Sequence, residues 1–143
     1  MLTFLAIIWP PIIVFSLHVL RVLLLPEYYR LDMIAHFLGG AAIALVAWNT
    51  LRYLIKTRSL TPLPRYLAWF LCIATAELVG VLWEFWEFYI QSRFMFMGIT
   101  LEDTLMDLVL DLVGATVCMT VLVYAAHKKD RRQKPVDDRA NIL

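Results

Sequence analysis

The chain has 143 residues, 62% of them hydrophobic and 17% charged, with a net charge of +1. A water-soluble domain runs nearer about 45–50% apolar and about 25% charged, so this composition, with a mean hydropathy of +0.72, excludes an ordinary soluble fold. The near-neutral balance excludes a broad electrostatic footprint for nucleic acid. Cys72 and Cys118 both sit within apolar stretches and read as small packing residues rather than a disulfide framework.

The apolar residues fall into four blocks, each near the ~20 residues a helix needs to cross a hydrocarbon core of about 30 Å. The first covers residues 2–25 and ends at Pro26. Pro10-Pro11 within it are expected to kink or break the helix, because each removes a backbone donor and crowds the preceding turn, unless neighbours satisfy the freed carbonyls. No basic residue precedes this block and no small-x-small site follows it, which argues against a cleaved leader. The second block covers residues 32–55 and the third 66–90, joined by the basic, turn-rich run Lys56-Thr-Arg-Ser-Leu-Thr-Pro-Leu-Pro-Arg65. The fourth, residues 101–126, follows Thr100-Leu-Glu-Asp103, a helix start with Thr as N-cap and acids in the first turn. Residues 127–143 are charged and aperiodic and are expected to form a mobile tail. The fold class is therefore all-α: a polytopic membrane protein, a bundle of four transmembrane helices.

Basic residues orient it. Arg52, Lys56, Arg58 and Arg65 flank the middle loop, and Lys128, Lys129, Arg131, Arg132, Lys134 and Arg139 fill the tail. With four spans these ten lie on one side, against Arg21, Arg30 and Arg93 on the other. The positive-inside rule then makes both termini cytoplasmic and the localisation the cell (inner) membrane.

Nine of the twelve acids lie outside the tail: Glu27, Asp32, Glu77, Glu84, Glu87, Glu102, Asp103, Asp107 and Asp111. In this topology all but the deeper Glu77 fall at the outer end of the bundle. Asp32 and His36 share a stripe with Gly40 and Ala44. Glu77, Glu84 and Glu87 share a face with Gly80, and Asp103, Asp107 and Asp111 recur every four residues before Gly114 and Ala115. Residues three and four apart are neighbours on a helix, and small residues let spans approach closely. The acidic stripes of the second, third and fourth helices are thus expected to face one another.

Each buried Asp costs roughly 2.5–3.5 kcal/mol on insertion scales. Helix dipoles favour Asp32 and Asp103 at helix starts but oppose Glu84 and Glu87 near a helix end. Bound cations, protons, or Arg21, Arg30 and Arg93 folding inward could neutralise the cluster. A divalent metal ion held by Asp32, His36, Glu84, Glu87, Asp107 and Asp111, with Asp103 close by, is the most economical answer. Each residue also has a plainer reading: helix starts for Asp32 and Asp103, an interfacial position for Glu87 in Trp83-Glu-Phe-Trp-Glu-Phe88, a core histidine for His36. His18, in an apolar context, reads as structural. Glu77 is either hydrogen-bonded in the core or part of an ion path.

The segments Asp32-Met-Ile-Ala-His-Phe-Leu-Gly-Gly40, Glu77 with Trp83–Phe88, and Asp103-Thr-Leu-Met-Asp107 before Gly114-Ala115 resemble the YjdF-like bacterial inner-membrane family. More distantly, their order resembles the VanZ-like family, associated with teicoplanin resistance. The chain is shorter than the YjdF-like pattern and has Gly98-Ile-Thr-Leu-Glu where that pattern has Gln-Gly-Asp. It carries Met33 where VanZ-like proteins commonly have Lys. The resemblance implies the membrane fold and the site rather than an activity.

No phosphate-cradling glycine loop, H-E-x-x-H or nucleophile elbow is present, so nucleophilic catalysis is unsupported. Three functions stay in view. The first is a cation site acting on lipid or cell-envelope precursors, with the question of catalysis open. The second is a proton or cation path through Glu77. The third is an accessory subunit or stress factor whose polar stripes specify helix pairing. Partners implied are the bilayer, anionic lipid or a protein at the basic tail, and a second copy of the chain.

Overall fold

The computed structural model describes residues 2–24, 30–90, 92–93 and 100–133, with the side chains of 2–7, 21–22, 30 and 129–133 outside that description. Its elements are four helices: α1 (Leu2–Leu24), α2 (Arg30–Lys56), α3 (Arg65–Ile90) and α4 (Leu101–Gln133). Among the described residues there is no strand. Three helices are long and apolar enough to cross a membrane, over Leu31–Lys56, Arg65–Ile90 and Leu101–Lys128; in α1 the apolar stretch is Ile8–Leu20.

Two boundaries differ from expectation. α1 runs through Pro10 and Pro11 without a break. Proline's φ of about −65° is itself helical, so what is lost there is two backbone donors rather than the helical path. α4 continues to Gln133, beyond the expected end at residue 126. Lys, Arg and Gln are good helix formers, and extending an existing helix avoids the nucleation penalty. The expected tail from residue 134 onward lies outside the described residues, as does Glu27.

The helix ends follow local chemistry. Thr100 caps α4, its Oγ1 accepting from the Asp103 amide at 3.1 Å. α2 stops at Arg58, whose φ is 60°, and the amides of Ser59 and Leu60 both donate back to the Leu54 carbonyl, a left-handed C-cap. Inside the spans, Ser16, Thr75 and Thr120 donate to the carbonyl four residues earlier, which satisfies each hydroxyl within its own helix.

α2 is the hub, packing on α1, α3 and α4. Its approach to α4 depends on two glycines: a Cβ on Gly40 would collide with the Asp111 backbone, and one on Gly114 with the Phe37 carbonyl. The interior beyond this crossing is small and apolar: Ala44, Cys72, Ala76, Ala115 and Met119 are at most 1% exposed. Large side chains lie outside, with Phe70, Leu78, Leu82, Phe85 and Val121 all well exposed. Small residues buried and large apolar ones outward is the distribution expected where lipid is the solvent. α1 is attached differently. Among the described residues it packs on α2 alone, reaching α3 through Trp83, whose ring lies 5.8 Å from Phe15 and 5.1 Å from His18.

Candidate metal centre

His36 stands one turn inside the start of α2, on the stripe it shares with Asp32 and Gly40. It projects at α4, where Asp107 and Asp111 are also four residues apart, about 6 Å along the axis. That spacing brackets the imidazole. Nδ1 lies 3.4 Å from Asp111 Oδ2, and Nε2 lies 3.7 Å from Asp107 Oδ2. All three residues are buried, at 5%, 6% and 5% exposure for His36, Asp107 and Asp111. The Asp111 carboxylate fits because α3 presents a glycine to it: a Cβ on Gly80 would lie 2.6 Å from Asp111 Oδ2.

α3 runs against α2 and α4, so its C-terminal end supplies Glu84 and Glu87 at the same level. Glu84 is buried. α1 supplies His18, also buried, with Nδ1 3.2 Å from Asp32 Oδ1. Possible ligand atoms lying within 4.8 Å of one another form two sets among the described residues: Asp32, His36 and Asp107, and His36, Glu84 and Glu87. His36 belongs to both.

The expected ligands therefore divide. Asp32, His36 and Asp107 come together, as do His36, Glu84 and Glu87, with Asp111 at Nδ1 of the same ring. Asp103 does not join them; it is exposed in the first turn of α4, where the dipole favours its charge. Glu77 is half-buried, with Oε1 enclosed and without a hydrogen-bond partner among the described residues, and it belongs to neither set. Of the arginines expected as counter-charges, Arg93 is exposed beside the Tyr89 ring, while the side chains of Arg21 and Arg30 lie outside the described residues.

Two enclosed atoms mark the centre of the cluster. His36 Nε2 and Glu84 Oε1 are buried without a hydrogen-bond partner among the described residues, a deficit of about 1–3 kcal/mol for each such group. At 3.7 Å, Nε2 is beyond hydrogen-bond range of Asp107. An imidazole that donates Nδ1–H to Asp111 keeps its lone pair on Nε2, and this is how metal-ligating histidines are oriented by an outer carboxylate. The donor set of one imidazole and several carboxylates suits a first-row divalent ion such as Mn²⁺ or Zn²⁺. The residues present fit such an ion.

Beside the cluster lies a cavity of about 240 Å³. Val14, Ile43, Ala76 and Val79 contribute its apolar walls, and His18, His36 and Asp111 its polar lining. α1 thus borders the site, which the sequence assigned to three helices, and His18, expected to be structural, lines the cavity and lies against Asp32. A signal was present: an ionisable side chain within an apolar span is a functional candidate by default. Nothing in the spacing of α1, however, indicates that its partner is Asp32.

Neither curated proteins nor solved structures yield a match to the chain. A family model described as "Predicted membrane protein (DUF2238)" matches residues 11–129, a stretch that contains every member of the cluster. The YjdF-like resemblance of the motifs is consistent with that family. Most of the chain is matched, and the protein belongs to this DUF2238 family of predicted membrane proteins.

Proposed function

We propose that this membrane protein binds a divalent cation at the outer end of a four-span bundle, through His36 Nε2 and carboxylates of Asp32, Glu84, Glu87 and Asp107. Asp111 holds the imidazole by its other nitrogen. The observation that carries this reading is the buried His36 Nε2, which has no hydrogen-bond partner among the described residues, on a ring grouped with Asp32 and Asp107 and also with Glu84 and Glu87 at distances an ion could span. Without a ligand, that arrangement leaves a buried polar atom unsatisfied among the described residues. The sidedness of the thirteen basic residues supports cytoplasmic termini and hence a site facing away from the cytosol, in the cell membrane.

Bound there, a divalent ion would polarise a phosphoryl oxygen or lower the pKa of a water, which fits action on a lipid or cell-envelope precursor. The protein's own part is to fix the ligands and keep the imidazole in one tautomer. The test is metal analysis of purified protein after equilibration with Mn²⁺ or Zn²⁺. A stoichiometric ion in the wild type, absent from Asp107→Asn, is the expected outcome; equal metal content in both would end the proposal.

A proton or cation path is the second reading, favoured by the enclosed Oε1 of Glu77, deeper in α3 than Glu84 by about 10 Å. Liposome flux that is unchanged in Glu77→Gln would remove it.

A further inference from the structure

The cavity beside the cluster has a shape and a chemistry that the cation alone does not use. On α2 its lining extends from Ala35 to Ile43, about 12 Å along the helix axis. One end is therefore level with His36, and the other reaches into the middle of the span. Its deeper walls are apolar, with Val14 from α1, Ile43 from α2 and Val79 from α3. Among the described residues no Cα of α1 comes within 8 Å of one in α3. The gap between these helices is bridged at the level of the cluster by the ring of Trp83 against Phe15 and His18. Val79 is 38% exposed, so this wall of the cavity is also part of the outer surface of the bundle. At about 240 Å³ the space is below the ~300–1,000 Å³ typical of whole-ligand pockets. It suits a segment of one hydrocarbon chain, not an entire lipid.

The geometry points to a lipid-binding cleft: the space between α1 and α3 receives one hydrocarbon chain of a membrane phospholipid whose phosphate reaches the cation at His36. This deepens the cation reading and rests on it, because a phosphate at this end of the cavity would be repelled by Asp111, which lines it, unless a cation stood between them. Three observations converge. The apolar walls lie within spans that face hydrocarbon. The buried His36, the residue common to both groups of possible ligands, lines the polar end together with His18 and Asp111. A chain entering from the side leaves its headgroup at the level of the acids, so one molecule satisfies both ends.

The probe is a phosphatidic acid carrying a photoactivatable diazirine in mid-chain, offered to the full-length protein in phosphatidylcholine nanodiscs with Mn²⁺. A matched diacylglycerol without phosphate serves as the comparison. Val79→Trp and Val14→Trp fill the cleft from opposite walls, and neither residue belongs to the cation set. Cross-links at the cleft residues of α1, α2 and α3 are expected in the wild type. Overfilling should reduce them by at least about fivefold in both variants, while Mn²⁺ content and melting temperature stay at wild-type values. Phosphatidic acid should label the cleft more than diacylglycerol, and this preference should vanish in Asp107→Asn. Labelling confined to outward residues such as Phe70, Leu78 and Leu82, unchanged by the tryptophans, would overturn the cleft. Equal labelling by the two lipids in Mn²⁺-loaded protein would overturn the phosphate assignment. Loss of Mn²⁺ binding from the wild type would instead overturn the cation reading, leaving the tryptophan variants to judge the chain.

Discussion

Two carboxylates one turn apart on α4 perform different tasks on one imidazole. Asp107 sits beside the free nitrogen, and Asp111 holds the other. Under the proposed cation reading, replacing Asp107 as a ligand and replacing Asp111 as the orienting partner should therefore differ in degree. Asp107→Asn is expected to abolish stoichiometric loading, whereas Asp111→Asn should keep the site and weaken affinity by about 10–100-fold, as measured by metal titration. Asp103→Asn should leave affinity unchanged, since Asp103 is exposed outside the cluster. Because carboxylates and imidazole bind metal only when deprotonated, affinity should fall as pH is lowered. Proton release on Mn²⁺ addition, followed in weak buffer, checks the sign; proton uptake would contradict it.

At the level of elements, glycine positions separate structural from site effects. Gly40 and Gly114 face the backbone of the opposite helix, which cannot yield without moving α2 from α4. Gly40→Ala or Gly114→Ala is expected to destabilise the bundle by at least about 1–3 kcal/mol, seen as a lower melting temperature in detergent. Gly80 faces the Asp111 side chain, with a Cβ at 2.6 Å from Oδ2. A carboxylate can rotate, so Gly80→Ala should displace Asp111 and reduce metal affinity with little change in melting. Gly39 is the control, since its Cβ would be an ordinary 3.6 Å from Asp111 Oδ1. The small-residue stripes were readable from residue spacing because helical period places i and i+4 together. Which glycine meets backbone and which meets a carboxylate was not, because that depends on how each helix is rotated about its axis against its neighbour.

For the whole molecule, the distribution of side chains reflects lipid as the surrounding medium. Large apolar residues are outward, and the interior holds alanine, glycine, cysteine and the ionisable cluster. Hydrophobic transfer does not drive helices together in such a medium, so close packing and polar contacts carry the association. The ten basic residues in the middle loop and tail predict the orientation. A fluorescent reporter fused after Leu143 should be active in the cytoplasm, and an alkaline phosphatase fused after Arg93 should be active on the opposite side. The reverse pattern would turn the acidic end inward and move any substrate to the cytosolic leaflet.

The four helices, three of them long and apolar enough to cross a membrane, and the Thr100 cap were legible in the linear chain, because a transmembrane helix satisfies its backbone internally and needs only local length and apolarity. The helical path of α1 through Pro10-Pro11 and of α4 on to Gln133 was not legible there, since local breaker and charge signals compete with propagation of a helix already formed. Membership of the cluster came from packing between helices. Asp103 and Asp107 have the same residue type and neighbouring positions on one stripe, yet one is exposed and the other lies beside His36. His18 reaches Asp32 from a helix whose own sequence gives no hint of it. Rotation and separation of whole helices set such contacts, and those variables are properties of paired surfaces rather than of any single segment.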